Sequence, residues 1–312
     1  MTTILVTGGA GFIASNIVDQ YIAMGHRVII IDNLYSGFKR NLNPKAVFYE
    51  MDIRDKNLEK IFEDEKIEIV NHHAAQIDVR HSVEKPEYDA QVNIIGAINL
   101  LECSKKYKIR KIIYSSTGGA VYGEPEYLPA DEEHPVNPEC HYGVSKYTVE
   151  NYIKLYHRLY NIDYTIFRYP NIFGPRQNPY GEAGVNAIFI GQMIKGTIPV
   201  IFGDGNQLRD YLYVEDVVKA NTMVLSAGSN KTYNLGTGVG TSVNKIYQIL
   251  QNILKFPNPQ IHAEPRKGEI EKIYLDSSLI FKELGWKASV SYEDGLKKTI
   301  EYFKSNIEIF KK

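Results

Sequence analysis

The sequence predicts a doubly wound α/β fold, with a parallel central sheet and a smaller mixed α/β lobe. Short apolar runs alternate with helical stretches over the first 169 residues, and the runs are nearly continuous, as in a sheet covered on both faces. The expected strands are residues 4–6, 28–31, 47–51, 69–71, 112–115 and 164–167. The expected helices between them are residues 12–24, 56–65, 89–106 and 144–160.

The second half of the chain is less regular. Residues 170–182 contain three prolines, and a short apolar run follows at 200–202. The helices expected there are residues 185–195, 215–225, 243–254 and 292–305. We therefore predict a cofactor-binding domain over 1–169, to which a segment near 211–235 returns, and a smaller substrate lobe that makes up most of 170–312.

Composition excludes several classes of protein. The 36 Lys and Arg nearly balance the 37 Asp and Glu, so a basic surface for nucleic acid or an anionic membrane is not expected. Only Cys103 and Cys140 are present, and the chain starts in a strand-like run without a secretory signal. The eight His residues show no metal-ligand spacing. We expect a cytoplasmic, soluble protein without a metal.

A glycine-rich loop follows the first expected strand and leads into a helix. Gly8 permits the sharp turn, and Gly11 lets the backbone approach a pyrophosphate at the helix N-terminus. Ala14 occupies the third small position of the motif. Asp32 ends the second strand, where a carboxylate accepts hydrogen bonds from adenosine ribose hydroxyls and repels a 2′-phosphate. This combination predicts a Rossmann-type fold that binds NAD rather than NADP.

Tyr-x-x-x-Lys occurs three times, and one copy is placed for catalysis. Tyr142 and Lys146 lead into a long helical stretch, so that they share one face. They follow a hydroxyl run at the end of the fifth strand, where ligands of open α/β sheets bind. Within that run Thr117 is the first choice for holding the substrate hydroxyl and Ser116 the second.

The tyrosine needs a lowered pKa to act as a base. A free tyrosine has a pKa near 10, and lowering it by about three units requires roughly 4 kcal/mol. One positive charge about 5 Å away supplies about 3 kcal/mol at an effective dielectric constant of about 20. We therefore expect Lys146 to supply most of the shift and an oxidised nicotinamide the rest, which makes Tyr142 a general base near neutral pH.

These residues resemble the extended short-chain dehydrogenase/reductase family, and within it the NAD-dependent nucleotide-sugar epimerases of the UDP-glucose 4-epimerase type. The resemblance covers nearly the whole chain. It is carried by residues 7–14, 32–34, 73–75, Asn93, 115–123, 142–146, 168–177, 181–189, 202–216 and 266–269.

The resemblance implies a role for each matching position. The implied NAD contacts are Gly8, Gly11, Phe12, Ile13, Asp32, Asn33, Asp52, Ile53, Ala74, Ala75, Asn93, Tyr142 and Lys146. Asn171 and Arg209 resemble contacts to the UDP diphosphate, and Arg266 resembles a second cation for it. Glu269 is expected to lie toward the uridine ribose and Phe202 beside the uracil.

The implied reaction is 4-epimerisation of a UDP-hexose through a transient 4-keto sugar, in which Tyr142 removes and returns the hydroxyl proton. Ile273 occupies the position where a Tyr excludes N-acetyl groups in restrictive relatives, so UDP-N-acetylhexosamines are expected substrates besides UDP-glucose and UDP-galactose. Arg176 facing a C6 carboxylate would instead indicate UDP-glucuronate. A decarboxylase or reductase of the same family and an NAD-binding regulator without catalysis are the further alternatives.

Two departures from the family pattern are present. Gly118-Gly119-Ala120 makes the segment after the hydroxyl run one residue longer than the commoner spacing, which leaves the choice between Thr117 and Ser116 open. No Asp-Glu pair follows Thr117, whereas related 4,6-dehydratases carry one, so dehydration is not expected.

Two of the expected helices carry apolar residues on more than one face. They are Val92, Ile95, Ile98 and Leu101 in one helix, and Val149, Tyr152, Ile153, Tyr156 and Leu159 in the other. One stripe can cover the sheet and the other can contact a partner, as family members do through a helix bundle. A homodimer is therefore expected, with an intrachain core as the alternative.

Overall fold

The computed structural model describes residues 1–180, 184–265 and 270–310. Its strands are β1 (Thr3–Thr7), β2 (Arg27–Asp32), β3 (Val47–Glu50), β4 (Ile69–His72), β5 (Lys111–Thr117), β6 (Asp163–Tyr169), β7 (Asn171–Phe173), β8 (Val200–Phe202), β9 (Leu208–Arg209), β10 (Tyr211–Tyr213), β11 (Lys231–Asn234), β12 (Thr241–Ser242), β13 (Ile261–Ala263) and β14 (Lys272–Ile273). Its α-helices are α1 (Phe12–Ala23), α2 (Leu58–Glu65), α3 (Val79–Glu84), α4 (Pro86–Ala90), α5 (Gly96–Lys106), α6 (Gly118–Val121), α7 (His141–Tyr160), α8 (Val185–Ile194), α9 (Val214–Met223), α10 (Val243–Leu254), α11 (Ser278–Leu284) and α12 (Tyr292–Ser305). A π-helical turn at Gln91–Ile95 joins α4 to α5, and 3-10 turns lie at Lys39–Asn41 and Ile307–Phe310.

The main sheet has seven parallel strands in the order β11-β6-β5-β4-β1-β2-β3. Apolar residues of α1 and α9 cover one face, and those of α2, α5 and α7 cover the other. This confirms the doubly wound α/β prediction and all six predicted strands. The strand order reverses between β1 and β4, and ligands of open α/β sheets bind outside the carboxyl ends of the strands at such a reversal.

Residues after β6 build the smaller sheets and also the edge of the main one. β7 pairs with β10, β8 pairs with β13, and β9 lies between β12 and β14. β11 pairs with β6, so the second half of the chain supplies the seventh strand of the main sheet. β7 follows β6 directly, so the smaller lobe begins at the carboxyl end of β6.

The helix predicted over 89–106 is interrupted in the structure by the π-helical turn. Asn93 lies in this turn and exchanges two hydrogen bonds with the backbone of Gln76, at 2.8 and 3.0 Å. These bonds hold the loop after β4 against the helix. Interruptions of this kind are frequent at functional sites.

The two apolar stripes are divided between core and surface. Leu101, Val149, Ile153 and Tyr156 are buried against the sheet, whereas Val92, Ile98 and Tyr152 are half-buried. Ile95 and Leu159 are 55% and 60% exposed. Among the described residues, no helix is both long and apolar enough to cross a membrane.

Candidate active site

The glycine-rich loop joins β1 to α1 at the reversal of strand order. Gly8 has φ +71°, and a Cβ at this position would lie 2.8 Å from the backbone nitrogen of Ala74, after β4. Gly11 precedes α1 without a side-chain cap, and a Cβ there would lie 3.0 Å from the carbonyl oxygen of Gly8. Phe12 and Ile13 then begin the helix, whose first N–H groups have no partner within it. The loop is a narrow backbone cradle that fits a pyrophosphate.

Asp32 connects this cradle to the end of β2. Its buried carboxylate accepts hydrogen bonds from the backbone N–H of Ala10 at 3.0 Å and of Leu34 at 2.8 Å. Burial raises the pKa of Asp32, and the two backbone hydrogen bonds oppose that shift. Each carboxylate oxygen keeps a second lone pair, so the group can still accept from ribose hydroxyls.

Asn33, Asp52 and Ile53 lie beside the same strand end. Asp52 accepts from both Nε and Nη2 of Arg54 at 2.8 Å and from Nδ2 of Asn33 at 2.9 Å. Hydrogen bonding to Arg54 lowers the pKa of Asp52 to about 2. Ile53 is buried against α5, where a Cβ at Gly96 would lie 2.6 Å from its Cδ1. These contacts fix a rim at the adenosine end of the cradle.

Thr7 joins the ends of β1 and β4. Its Oγ1 accepts from the backbone N–H groups of His73 and Ala74 at 3.2 and 3.1 Å, and it lies 2.8 Å from Nδ1 of His72. Ala74 and Ala75 therefore stand next to the glycine loop, as the resemblance implies for cofactor contacts.

Tyr142 and Lys146 stand on the first turns of α7, one turn apart. Lys146 is 3% exposed, and its Nζ lies 4.7 Å from the ring centroid of Tyr114 and 6.0 Å from that of Tyr142. Ser82 on α3 accepts from the backbone N–H of Tyr142 at 3.2 Å, which satisfies one of the free donors at the helix start. The helix therefore holds both side chains at the carboxyl end of the sheet.

The other two Tyr-x-x-x-Lys copies are not arranged this way. Tyr35 lies in a loop and is 73% exposed. Tyr107 follows α5 as its C-cap, and Lys111 begins β5, where its Nζ donates to the carbonyls of Val224 and Ala227 at 2.6 Å. Lys111 therefore belongs to the packing of α9 and not to a catalytic pair.

The pKa values of the pair differ from the expectation. Burial raises the pKa of Tyr142, and Cys140 and the carboxylate of Asp89 add to that shift. Burial lowers the pKa of Lys146 to about 7, although Asp89 and Glu150 oppose it. These shifts oppose the expectation that Lys146 lowers the pKa of Tyr142, because desolvation disfavours the charged form of each group.

The two candidate hydroxyl groups point to different partners. Ser116 is buried, and its Oγ donates to Oε1 of Glu150 at 2.5 Å. Thr117 is half-buried, and a Cβ at Gly119 would lie 3.8 Å from its Oγ1 and 3.9 Å from Oδ1 of Asn171. Thr117 and Asn171 therefore border the same space, whereas Ser116 is engaged in the packing of α7.

The nucleotide-binding candidates lie along the short strands beside this space. Asn171 begins β7 and donates its backbone N–H to Asp210, the residue after Arg209. Arg209 in β9 is in register with Ile273 in β14, and Ile273 is buried beside Val121 and Tyr122. Phe202 ends β8 and is 37% exposed.

Three residues that the sequence singled out are not brought to this space by the described part of the structure. Arg266 and Glu269 lie outside the described residues. Arg176, the basis of the glucuronate alternative, instead pairs with Asp19 on α1 at 2.5 Å. The ion pair involves Nη2, whereas Nη1 of Arg176 is buried without a hydrogen-bond partner among the described residues, so the UDP-glucuronate alternative stays a prediction.

Sequence reasoning missed several buried polar residues around the site. Asp210 accepts from Thr237 and from the backbone of Gly238 and Leu275, which ties the short strands together. Asp89 accepts from Ser145, the residue before Lys146. The sequence spacing could have indicated Asp89, because Asp89 precedes Asn93 by one helical turn. Within the described ranges, no cluster of His, Cys, Asp and Glu could hold a metal.

Residues 4–236 match the model of the NAD-dependent epimerase/dehydratase family. A UDP-glucose 4-epimerase of Mycolicibacterium smegmatis is 40% identical over 308 residues, which cover 96% of this chain and 98% of the relative.

Solved structures of similar proteins agree with this match. The UDP-glucose 4-epimerase of Thermotoga maritima, solved with UDP-glucose, is 48% identical with a TM-score of 0.97 and covers 98% of this chain and 100% of its own. The Thermus thermophilus UDP-glucose 4-epimerase, solved with NAD, is 37% identical with a TM-score of 0.94 and the same coverage. A UDP-N-acetylglucosamine 4-epimerase of Methanobrevibacter ruminantium, solved with UDP-N-acetylmuramic acid, is 35% identical with a TM-score of 0.92 and covers 97% and 98%.

Proposed function

The chain belongs to the NAD-dependent epimerase/dehydratase family, and we propose that it is an NAD-dependent UDP-sugar 4-epimerase that interconverts UDP-glucose and UDP-galactose. One observation carries the proposal: the half-buried Tyr142 and the buried Lys146 stand together on α7 at the carboxyl ends of the strands that also carry Thr117 and the glycine cradle. The acid pair expected of a dehydratase is absent after Thr117.

The cradle fits the cofactor that the family uses. Gly8 and Gly11 hold the pyrophosphate, Asp32 the adenosine ribose, and the rim of Asn33, Asp52 and Ile53 borders the adenine. Bound there, NAD⁺ would supply reversible hydride transfer at C4 of the sugar.

The residues of the chain move and hold the proton. Tyr142 takes the proton from the 4-hydroxyl as C4 is oxidised and returns it when the 4-keto sugar is reduced. Lys146 stabilises the phenolate, and Thr117 holds the same oxygen by a hydrogen bond. Asn171, Arg209 and Phe202 anchor the UDP, so the sugar can turn in the pocket while the nucleotide stays bound.

For substrate range, we propose that UDP-N-acetylhexosamines are accepted as well. Ile273 is an aliphatic residue at the position that closes the pocket in restrictive relatives. UDP-glucuronate stays the alternative substrate, because Nη2 of Arg176 pairs with Asp19 whereas Nη1 has no hydrogen-bond partner among the described residues. A decarboxylase or reductase of the same family would convert these UDP-sugars to different products.

Product analysis tests the function directly. The purified chain is incubated with UDP-galactose, UDP-N-acetylgalactosamine or UDP-galacturonate without added NAD, and products are separated by anion-exchange chromatography. We expect UDP-glucose and UDP-N-acetylglucosamine, loss of both with Tyr142→Phe, and retention of both with Tyr107→Phe as the matched control. If UDP-galactose is not converted by protein that contains NAD, the proposal is wrong.

For assembly, we propose a homodimer through α5 and α7. Ile95, Val144, Leu155 and Leu159 are apolar residues of this region that are 37–60% exposed. Light scattering during gel filtration should show a dimer that Leu159→Glu dissociates, whereas Phe281→Glu on α11, where Phe281 is 55% exposed, should leave the dimer intact. A monomeric wild type would contradict the proposal.

For organisation and location, we propose that residues 1–169, with the segment near 211–235, bind NAD and that most of 170–312 holds the nucleotide sugar. The pairing of β11 with β6 supports this division. We also propose a cytoplasmic location, since both Cys103 and Cys140 are free thiols.

A further inference from the structure

Asp89 on α4 is a fully buried carboxylate next to the proposed catalytic helix. Its Oδ1 accepts from Nε2 of Gln76 and Nδ2 of Asn93, each at 3.0 Å. Its Oδ2 accepts from Oγ of Ser145 at 2.6 Å. Over the described ranges it forms no ion pair with Lys or Arg, so its three side-chain partners are all neutral donors.

Lys146 is the buried amine in the same region, and its protonated form carries the opposite charge. It follows Ser145 directly on α7, and its ammonium lies near the aromatic rings of Tyr114 and Tyr142. It likewise has no ion pair with the described carboxylates. An isolated buried charge is costly, so two such charges of opposite sign in one region balance each other.

The other titratable groups around Lys146 and Tyr142 do not take this role. The groups that face the pair from α7, α4, β5 and the end of β4 are Cys140, Glu150, Asp89, Tyr114, His72 and His73. Burial lowers the pKa of His72 and His73 to about 3 and raises that of Cys140 and Tyr114, so all four are neutral near pH 7.

Glu150 is the other carboxylate in this group, and its charge is already matched. It accepts from Nη2 of Arg168 at 2.8 Å and from Nε at 3.1 Å. Asp89 is therefore the one unmatched anion among the described groups that face the pair.

We propose that Asp89 is a positioning residue of the epimerase reaction. Asp89 supplies the counter-charge of Lys146 and, through Ser145, fixes the turn of α7 that carries Tyr142. The proposal rests on the proposed function, since it assigns Asp89 a role in that reaction. Asp89 acts through Lys146 and Ser145 and is not itself placed at the sugar.

Asp89→Asn tests the charge while keeping the shape. The Asn side chain can still accept from Gln76 and can donate to Oγ of Ser145. Removal of the negative charge lowers the pKa of both Tyr142 and Lys146, so the pH profile of kcat/KM should move to lower pH by about one unit. Asp89→Ser removes the same charge in a smaller side chain and must give the same shift if Asp89→Asn folds poorly.

Two controls separate charge from packing. Ser145→Ala removes the hydrogen bond that positions the turn and keeps the charge of Asp89, so kcat and stability should fall while the pH profile stays in place. Asp216→Asn makes the same substitution at another buried carboxylate, which accepts from Ser289 and Val290 at 2.6–3.1 Å, and the profile should again stay in place.

The outcomes are distinguishable. An inactive wild type overturns the proposed function. If the wild type is active and both Asp89→Asn and Asp89→Ser keep its pH profile of kcat/KM, even with a lower rate, the role of Asp89 is overturned. The proposed function then still stands. A shift to lower pH in both Asp89 variants, absent from the Ser145 and Asp216 variants, supports the inference.

Discussion

Gly8→Ala should separate the demands of the cofactor cradle from ordinary backbone strain. Gly8 has φ +71°, and Gly25 has φ +82° in the turn after α1. An alanine in this conformation costs about 1–2 kcal/mol at either site. At position 25 no atom lies within 4 Å of the new Cβ, whereas at position 8 the nitrogen of Ala74 would lie 2.8 Å away. To restore a contact of 3.4 Å, the ends of β1 and β4 must separate by about 0.6 Å.

Both variants should therefore lose stability, and only one should lose the cofactor. We expect Tm to fall by about 2–3 °C for Gly25→Ala, given the size of the chain. Gly8→Ala should lose at least as much and should bind NAD at least tenfold more weakly, because displacements of this size misplace bound groups. Calorimetric titration of NAD into cofactor-stripped protein, with thermal unfolding in parallel, measures both. Wild-type NAD affinity in Gly8→Ala would refute the assignment of the cradle.

Three further predictions follow from the same structure. Thr117→Val should lower kcat by about 10²-fold or more. Ser116→Ala should retain most of kcat but lower the unfolding free energy by about 1–3 kcal/mol, because Glu150 loses a buried donor. Equal losses of kcat in the two variants would contradict this assignment. Tyr142→Phe should abolish turnover with an unchanged NAD content, as measured by cofactor release. The pKa of Asp52 is lowered to about 2, so the ionised side chain stabilises the fold above about pH 4, and this effect is lost as the pH falls toward 2. In urea titrations, Asp52→Asn should lower the free energy of unfolding by about 1 kcal/mol at pH 7, after allowance for solvent screening, and hardly at all at pH 2.

The main sheet could be predicted from the sequence because parallel strands covered on both faces are continuous apolar runs. Residues 28–31 and 112–115 are such runs, and each forms a strand of the sheet. The pair Tyr142/Lys146 could be chosen among three copies because only this copy leads into a long helix. These features depend on local pattern, which a single sequence displays.

The smaller strands could not be predicted, because tertiary pairing defines them. β9 and β14 have two residues each, and their pairing joins residues more than 60 positions apart. The π-helical turn depends on Asn93 bonding to Gln76 across a loop. No periodicity in the sequence reports contacts of this kind.

The electrostatics of the site were also beyond sequence reasoning. The expectation for Tyr142 included the attraction of Lys146 and omitted the desolvation of both groups. It also omitted Asp89, whose negative charge raises the pKa of both Tyr142 and Lys146. Burial and the neighbours of a group decide the direction of its pKa shift, and both are properties of the folded chain.

The central claim is that hydride leaves and returns to the same C4 carbon without exchange, with Tyr142 as the proton carrier. Its most direct test is incubation of the wild-type protein with UDP-galactose that carries deuterium at C4, with NMR of the UDP-glucose formed. The account predicts that deuterium remains at C4 of the product and that Tyr142→Phe forms no product. Replacement of deuterium by solvent hydrogen, or unchanged conversion by Tyr142→Phe, would contradict it.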